Sequence, residues 1–500
     1  MICCAPFLNV LKEIGILMFY KLQNDVVFRD YSEYGLITDN SEFGYRMLND
    51  KRRKRPEKFV SKSGSVMLST LGRKPKEIDE IVEVLVDVFE GVTKKQLKND
   101  TIELFDYLVE EGYLSCGDSV DKCLDCESVS SINSSKTTTI EIESEHCEKE
   151  VFNSKDFLRS IHVEIASACN ERCVHCYIPQ EYKTNIISSD LFFRIIDEAR
   201  KMNVIHVTLS GGEPLLHKDI VVFLEKCREN DLSVNVLSNL TLLSDEIIDE
   251  MVKNPLVSVQ TSIYAMSHNI HDSITGVKGS LEKTISSVEK LLQVGIPIQI
   301  SCPIMKQNKD DFISVIRWGR EKNISVSVEP VIFGTYNHTC ENLHNRLSIL
   351  EIDNCLDYLL EEGYSSLMLD MAKEKEALTA ENPICSICRY SFCISSTGDV
   401  YPCVGWQSNV LGNMKDNCLN DIWVKSKKIQ ALRKIKRKDF PKCVNCRDRG
   451  YCNVCMMNNS NENPTGDPYC INEFHCKVAE LKHEKVSKYS KNIGNRRNIN

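Results

Sequence analysis

Short runs of β-branched residues recur through the middle of the chain, with polar, helix-patterned stretches between them. Six runs, from Ile161 to Ile332, each predict a buried strand; they read IHVEIASAC, IHVTLSGGEP, LSVNVLSNL, VSVQTSIY, IPIQISCPI and ISVSVEPVI. The stretches between them, such as DLFFRIIDEARKM and LEKTISSVEKLLQVG, have helical spacing. This repeat predicts an α/β fold with a parallel, curled sheet. In such folds the chemistry lies where strands end and loops begin.

Residues 18–115 have a different pattern, with two or three strand-like runs followed by two amphipathic helices. The apolar faces of these helices are formed by Ile78, Ile81 and Leu85 and by Ile102, Phe105 and Val109. We expect a separate small α+β domain here. Residues 116–152 are rich in Ser, Thr, Glu and Lys, which is typical of a flexible linker. Cys123, Cys126 and Cys147 are expected to be free thiols in that linker, and Lys51–Arg55 a solvated basic loop.

Cysteine density rises steeply after Asn382. The motifs CSICRYSFCISSTGDVYPC and CVNCRDRGYCNVC are followed by Cys470 and Cys476. We expect metal or cluster ligands, rather than a large apolar core, to hold this part of the chain together. The predicted organisation therefore continues with a core domain over residues 153–375, a cysteine-rich domain over 380–480 and a tail over 481–500.

Charge and cysteine content exclude several classes of protein. A net charge of −9 and a pI near 5.8 argue against a nucleic-acid partner, because phosphate binding needs a basic face. The apolar N-terminus lacks a basic flank and is interrupted by Lys12 and Glu13, so neither a signal peptide nor a membrane span is expected, and Met18 is a candidate start. The 24 cysteines then indicate metal or cluster ligation in a reducing cytoplasm rather than a disulfide framework.

The most specific motif is CNERCVHCY, which follows the first predicted strand. It supplies three thiols, from Cys169, Cys173 and Cys176. Three thiolates on a four-iron, four-sulfur cluster leave one iron open to an external ligand. A zinc site is the alternative, with His175 as a fourth ligand, although the loop is tight for enclosing one ion.

These cysteines, with GGEP at the end of the second strand, resemble the radical S-adenosylmethionine (radical SAM) enzymes. The resemblance implies a partial (β/α)6 barrel and a [4Fe–4S] cluster, held by the three cysteines, that binds S-adenosyl-L-methionine. It implies that the residues adjoining this cofactor are Gly211, Gly212, Glu213, Pro214, Ser238, Asn239, Ser262 and Tyr177. Ordinary strand-end capping is the alternative role for Ser238, Asn239 and Ser262. The family usually has an aromatic residue where His175 stands here.

The C-terminal cysteines resemble the SPASM domain, which holds two auxiliary four-iron clusters in some radical SAM enzymes. Gly398 and Cys403, with four residues between them, and the CVNCRDRGYC motif carry this resemblance. By it, one cluster takes Cys385 or Cys388 together with Cys393, Cys403 and Cys455. The other takes Cys443, Cys446, Cys452 and Cys470, which leaves Cys476 spare. A pair of zinc ribbons is the alternative, since two CxxC groups also suit zinc.

The N-terminal strands and helices resemble the winged-helix element that binds leader peptides in enzymes maturing ribosomally made peptides. There the leader adds as an extra strand to the domain's sheet. An unrelated α+β cap is the alternative.

Together the resemblances imply a cytoplasmic radical SAM oxidoreductase that acts on a precursor peptide. It would cleave S-adenosylmethionine to a 5'-deoxyadenosyl radical, abstract a hydrogen and install a thioether crosslink, with flavodoxin or ferredoxin as electron donor. Carbon–carbon crosslinking and oxidation of a protein residue, as in sulfatase maturation, are the alternative reactions. A non-catalytic iron–sulfur or zinc protein is the alternative class, and GGEP argues against it.

Overall fold

The computed structural model describes residues 17–39, 42–50, 54–125 and 157–497. Its N-terminal part is an α+β domain built on two small antiparallel sheets, with the strand orders β5–β1–β6 and β2–β3–β4. Its strands are β1 Phe19–Leu22, β2 Val26–Asp30, β3 Tyr34–Asp39, β4 Lys58–Ser61, β5 Lys76–Glu77 and β6 Leu114–Gly117. Its helices are α1 Lys62–Ser69, α2 Ile78–Val86, α3 Lys94–Glu110 and α4 Val120–Asp125. As predicted, α2 buries Ile78, Ile81 and Leu85.

Six parallel strands form the centre of the molecule, and each coincides with one of the predicted runs. They are β7 Ser160–Ala166, β8 His206–Gly211, β9 Ser233–Leu237, β10 Val257–Ser262, β11 Ile298–Pro303 and β12 Ser325–Glu329. The helices of this region are α5 Ser189–Lys201, α6 Ile220–Glu229, α7 Asp245–Lys253, α8 His268–Thr275, α9 Ser280–Gln293, α10 Phe312–Glu321, α11 Ile349–Glu361 and α12 Ser365–Glu376. Along β7, Ile161, Val163 and Ile165 join the main apolar core, whereas His162 and Glu164 alternate with them and point to the other face.

The cysteine-rich segment continues the same sheet. Its strands are β13 Ser391–Ile394, β14 Asp399–Tyr401 and β15 Gly412–Asn413, and β13 pairs in parallel with β7. Its helices are α13 Leu419–Lys425, α14 Lys427–Lys434, α15 Pro441–Val444, α16 Met456–Asn461 and α17 Glu473–Arg497. The described sheet therefore has nine strands, in the order β12–β11–β10–β9–β8–β7–β13–β14–β15.

The expectation that metal ligands alone hold this segment is wrong. Phe392, Trp406, Trp423 and Met456 are buried in the main apolar core together with the barrel strands. Apolar burial therefore fixes the segment against β7, and its cysteines are mounted on that packed frame.

The N-terminal domain lies against the amino-terminal ends of the barrel strands. Arg29 on β2 is fully buried and donates to the backbone oxygens of Val204 and Asp231, just before β8 and β9. The β3–β4 connection crosses the same end, where the Phe43 ring stacks on His206 at 5.1 Å and the Tyr45 amide donates to the Ser258 hydroxyl. This end of the barrel is its floor, opposite the carboxyl ends of the strands.

Two expectations about the N-terminal half need correction. The linker does not begin at residue 116, because β6 and α4 continue the domain to Asp125, and Cys123 is buried with its thiol donating to the Ser115 oxygen. Arg55 is not a solvated residue of the basic run: it is buried, and its guanidinium binds Asp25 and the Gly112 oxygen. Cys126, Cys147 and residues 51–53 lie outside the described residues. No helix in the described ranges has the length and apolar character needed to cross a membrane.

Candidate active site

The three-cysteine loop begins directly after β7 at the carboxyl end of the barrel. Its backbone is held by two bonds, from the amides of Arg172 and Val174 to the oxygens of Thr275 and Ile274. The Glu171 amide donates to the Cys169 sulfur at 3.4 Å, and the Tyr264 hydroxyl donates to the Cys173 sulfur at 3.9 Å. Hydrogen bonds of this kind favour the thiolate that an iron–sulfur cluster requires.

Burial works in the opposite direction on these thiols. It raises the pKa of Cys169 to about 11 and raises that of Cys173 well above its ordinary value. Without metal both thiols would therefore stay protonated at neutral pH, and metal binding would have to release those protons. The donor set, three half-buried thiols in one short loop, fits a cluster with three protein ligands.

Two amide side chains that the sequence reasoning missed cap this loop. Asn342 donates to the His175 oxygen at 2.9 Å, and Asn345 donates to the Val174 oxygen at 2.8 Å. Both follow β12 in a short turn, and their only sequence signal is the spacing of three in NLHN. They fix the second half of the loop.

The glycines of GGEP end β8 in close contact with the start of the loop. Gly211 has a φ of +124°, and a Cβ at Gly212 would lie 2.3 Å from the Ala168 oxygen. The Gly212 amide also donates to the Ala166 oxygen at 2.6 Å. Only glycine permits this approach of two backbones.

The carboxylate of Glu213 joins the ends of β8 and β9. It is fully buried and accepts hydrogen bonds from the Leu215 amide, the Ser238 hydroxyl and the Asn239 amide, at 2.9, 2.7 and 2.8 Å. Asn239 in turn donates to Asn170 at 2.8 Å. The Glu213 carboxylate thus joins the ends of β8 and β9, and the Asn239 side chain joins the end of β9 to the loop.

Tyr177, His175 and Ser262 lie around the same loop. The Tyr177 ring packs 5.5 Å from Phe333, and the His175 ring meets Tyr264 at 5.1 Å. The His175 Nδ1 atom is buried with no hydrogen-bond partner. Ser262 ends β10, at the same end of the barrel.

Glu164 is a buried acid that the sequence reasoning did not single out. It lies on β7 and is 3% exposed, and both its carboxyl oxygens accept from the Gln407 amide, at 3.0 and 2.9 Å. Burial raises its pKa to about 8. Its signal in the sequence is an acid inside the strand run IHVEIASA.

Glu164 lies between the three-cysteine loop and the C-terminal cysteines. Burial is the largest cause of the raised pKa of the Tyr177 hydroxyl. The pKa is raised further by Glu164, Cys176, Cys393 and Cys403. These groups are therefore electrostatic neighbours.

The cysteines predicted for the first auxiliary group include Cys393 on β13 and Cys403, which follows β14. Cys393 is buried on β13, and Cys388 is buried with its oxygen accepting from Arg433. Burial is the main cause that raises the pKa of Cys455 to about 11, and the thiols of Cys403 and Cys385 add to it. Gly398, with a φ of +90°, forms the tight turn between β13 and β14 that leads to Cys403.

The predicted second auxiliary group is only partly assembled as expected. Burial is the main cause that raises the pKa of Cys452 to about 11, and the neighbouring thiols of Cys476 and Cys443 add to it. Cys470, in contrast, is exposed. In the parts of the chain that the structure describes, no three His, Cys, Asp or Glu side chains are arranged to hold a single metal ion.

Two further thiols have structural surroundings. Cys302 is buried in the core and donates to the Tyr264 oxygen, consistent with an inert thiol. Cys340 is half-buried and donates to the Asn461 oxygen.

Comparison with known families gives two matches. Residues 163–319 match the radical SAM superfamily, and residues 385–448 match the SPASM iron–sulfur cluster-binding domain. The first match contains the three-cysteine loop and GGEP; the second contains Cys385 to Cys446.

Among curated proteins, the AdoMet-dependent heme synthase of Methanosarcina barkeri is 25% identical over 63% of this chain and 96% of its own length. The PqqA peptide cyclase of a Methylobacterium species is 24% identical over 64% of this chain and 87% of its own length.

Among solved structures, Streptococcus suis SuiB bound to its precursor peptide SuiA superposes with a TM-score of 0.58 at 15% identity. The match covers 91% of this chain and 99% of SuiB, and so extends into the N-terminal domain. anSMEcpe with bound AdoMet has a TM-score of 0.53 at 18% identity, over 67% of this chain and 99% of its own. These likenesses show the fold. With the two family matches and the three-cysteine loop at the carboxyl end of a parallel sheet, they identify residues 163–319 as a radical SAM domain and residues 385–448 as a SPASM iron–sulfur domain.

Proposed function

We propose that this enzyme is a peptide maturase that installs a thioether crosslink in a ribosomally made precursor peptide. The observation that carries the proposal is the pairing of β13 with β7. The three-cysteine loop follows β7, and Cys393 lies on β13, so neighbouring strands carry the two cysteine groups. A peptide residue bound between the two groups would have a radical source on one side and an electron acceptor on the other.

Cys169, Cys173 and Cys176 would hold the [4Fe–4S] cluster, with S-adenosyl-L-methionine beside GGEP, Ser262 and Tyr177. When bound, these cofactors supply a 5'-deoxyadenosyl radical for hydrogen abstraction. The protein would orient the reacting residue through the Glu164–Gln407 pair and the tyrosines around it. Auxiliary [4Fe–4S] clusters at the two C-terminal cysteine groups would take up the electron left by bond formation. Flavodoxin or ferredoxin is the proposed donor to the first cluster.

The N-terminal domain would bind the leader of the peptide. β4 pairs with β3 on one side, and no other described strand pairs with its second edge. An extended leader could therefore add to β4 through main-chain hydrogen bonds. The similarity to SuiB, whose structure contains its precursor peptide SuiA, and to the PqqA peptide cyclase supports a peptide substrate.

The position of this domain sets a length requirement on the peptide. The domain lies on the barrel floor, whereas the three-cysteine loop lies at the opposite end of β7, which has 7 residues. At about 3.3 Å per residue, the two ends are separated by about 23 Å. At least about seven extended residues must therefore separate the leader segment from the modified residue.

The experiment is anaerobic co-expression with the peptide encoded by a short cysteine-containing reading frame beside the gene. We expect the peptide to lose two hydrogens per crosslink and to contain one cysteine that no longer alkylates, because one C–H and one S–H bond are replaced by C–S. Cys173→Ala should leave the peptide unmodified. Cys227→Ala, which removes a buried thiol on α6, is the matched control and should retain the modification.

Other products distinguish the alternative functions. A loss of two hydrogens with every cysteine still alkylated would indicate a carbon–carbon crosslink, and an oxidised residue in a protein would indicate maturation of the sulfatase type. Unchanged biological activity of Cys173→Ala would favour a non-catalytic iron–sulfur or zinc protein.

A further inference from the structure

A cavity lies between the last cysteine motif and the first turn of α17. It has about 290 Å³ of empty space, its open mouth included. Four cysteines line it: Cys443, Cys452, Cys455 and Cys476. The other lining residues are Asn453, Val454, Asn458, Asn459, Ile471, Asn472 and His475.

Cys470 and Cys476 differ in their relation to this cavity. Cys470 is exposed in the turn before α17, where its amide donates to the Asp467 oxygen, and it does not line the cavity. Cys476 lies in the first turn of α17 and is half-buried. Cys476 lines the cavity together with Cys443 and Cys452.

Burial of its own apolar side chains holds α17 in place. Val478 and Ala479 on α17 are buried. Two exposed ion pairs at the surface, Lys442 with Glu473 and Arg447 with Glu480 at 2.6 Å, add little to this packing. Cys476 is therefore carried by a helix that packs into the domain beside the cysteine motif.

Asn458 Oδ1 lines the cavity and is buried without a hydrogen-bond partner, whereas His475 Nε2 lies 3.7 Å from the Glu462 carboxylate. Buried polar atoms normally have partners, so Asn458 Oδ1 indicates a polar occupant. Cys446 does not line the cavity, but its amide donates to the Cys443 oxygen at 3.3 Å, in the same turn as Cys443. With Cys443, Cys452 and Cys476 it makes a set of four thiols, which suits an iron–sulfur cluster.

We propose that Cys443, Cys446, Cys452 and Cys476 hold the second auxiliary [4Fe–4S] cluster and that Cys470 stays a free thiol. This assignment rests on the proposed function only in taking the site to hold a four-iron cluster. It gives Cys476 the role for which the sequence pattern suggested Cys470, because the exposed turn holds one thiol away from the motif and the packed helix brings the other onto it.

The test uses the full chain, purified without oxygen and reconstituted with iron and sulfide, and the Cys476→Ala and Cys470→Ala variants. We expect Cys476→Ala to lower iron and sulfide per chain by about a third, one of three clusters, and Cys470→Ala to match the wild type. The reverse pattern, equal loss in both or no loss in either would overturn the assignment, as would zinc in place of iron.

A second readout needs no variant and covers the case in which Cys476→Ala misfolds. The reconstituted wild-type chain is treated with N-ethylmaleimide, and the labelled cysteines are mapped by mass spectrometry. We expect Cys470 to be labelled at once and Cys476 to be labelled only after a chelator removes the iron. A Cys476 that labels as fast as Cys470 would overturn the assignment. Neither readout uses a peptide, so failure of the crosslinking proposal would leave this result interpretable.

Discussion

At the scale of single residues, Glu164 is a buried carboxyl among mostly apolar side chains. A carboxyl that is 3% exposed has only the neutral Gln407 amide as a hydrogen-bond partner. Burial without a cation disfavours the charged form. The protein therefore keeps a group of variable protonation beside Tyr177, at a cost in stability that depends on pH.

Replacing Glu164 with Gln should flatten the pH dependence of stability. The folded carboxyl keeps its proton up to a pKa of about 8, whereas the unfolded one loses it near about 4.3. The unfolded chain thus binds fewer protons over this range, so the free energy of unfolding falls as pH rises. We expect Glu164→Gln to gain stability over the wild type as pH increases toward about 8, measured by urea unfolding of the anaerobic protein. A difference in free energy of unfolding between Glu164→Gln and the wild type that is the same at every pH would contradict this. Glu321→Gln, at an exposed side chain, is the control.

Gly212 tests the contact between GGEP and the loop. A Cβ there would lie 2.3 Å from the Ala168 oxygen and 2.4 Å from the Ser167 oxygen, so backbone must move. We expect Gly212→Ala to lower 5'-deoxyadenosine formation at least about tenfold, because roughly 1.4 kcal/mol of misplacement suffices for that factor. Gly72→Ala, whose Cβ would meet nothing within 4 Å, should leave turnover unchanged. Equal turnover in both variants would show that the close approach is dispensable.

At the scale of elements, β13 is the feature that unites the two iron–sulfur regions. Its register, Cys393 opposite His162 and Ile394 opposite Val163, extends the parallel barrel sheet by one strand. Phe392 anchors it, 2% exposed and packed edge-on to Trp423 at 5.4 Å. The SPASM segment and the barrel should therefore unfold together.

Phe392→Ala should lower the free energy of unfolding by about 3 to 5 kcal/mol, since a large buried ring is lost from a packed core. Denaturant unfolding followed by fluorescence and by cluster absorbance checks both the size and the coincidence of the transitions. Leu350→Ala, at a side chain that is 72% exposed, should change stability by less than about 0.5 kcal/mol. Separate transitions for the two signals would refute the shared core.

At the scale of the whole molecule, the N-terminal domain and the three-cysteine loop lie at opposite ends of one barrel. The Arg29 guanidinium fixes this arrangement, because it is fully buried and bonds both the Val204 and Asp231 oxygens. The Phe43 ring and the β3–β4 connection cover the floor between them. A peptide bound at β4 must therefore reach the three-cysteine loop around the outside of the barrel.

Arg29→Ala should loosen the N-terminal domain from the barrel without affecting the chemistry at the far end. Removing the guanidinium leaves the buried Val204 oxygen and the Asp231 oxygen without these donors, which costs about 1 to 3 kcal/mol. We expect faster amide exchange in β2 and unchanged 5'-deoxyadenosine formation in the absence of peptide. Lys62→Ala, which removes an exposed pair with Glu33, should leave exchange as in the wild type. Loss of cofactor cleavage in Arg29→Ala would contradict the separation of the two ends.

The sequence predicts the parts of this molecule that depend on local pattern. All six barrel strands, the cysteine loop after β7 and GGEP after β8 follow from periodicity and spacing. The pairing of β13 with β7 does not, because the four residues SFCI carry no information about their partner. The same holds for Asn342, which caps the loop from far along the chain, and for the choice between Cys470 and Cys476, which depends on how α17 packs.

The measurement that tests the central claim most directly is isotope transfer. The precursor peptide is prepared from deuterated amino acids and incubated with the enzyme, S-adenosylmethionine and a reductant under anaerobic conditions. If the radical acts on the peptide, deuterium will appear in 5'-deoxyadenosine in step with the crosslinked product. If 5'-deoxyadenosine forms without deuterium and the peptide keeps its mass, the enzyme acts on another substrate and the peptide maturase account is wrong.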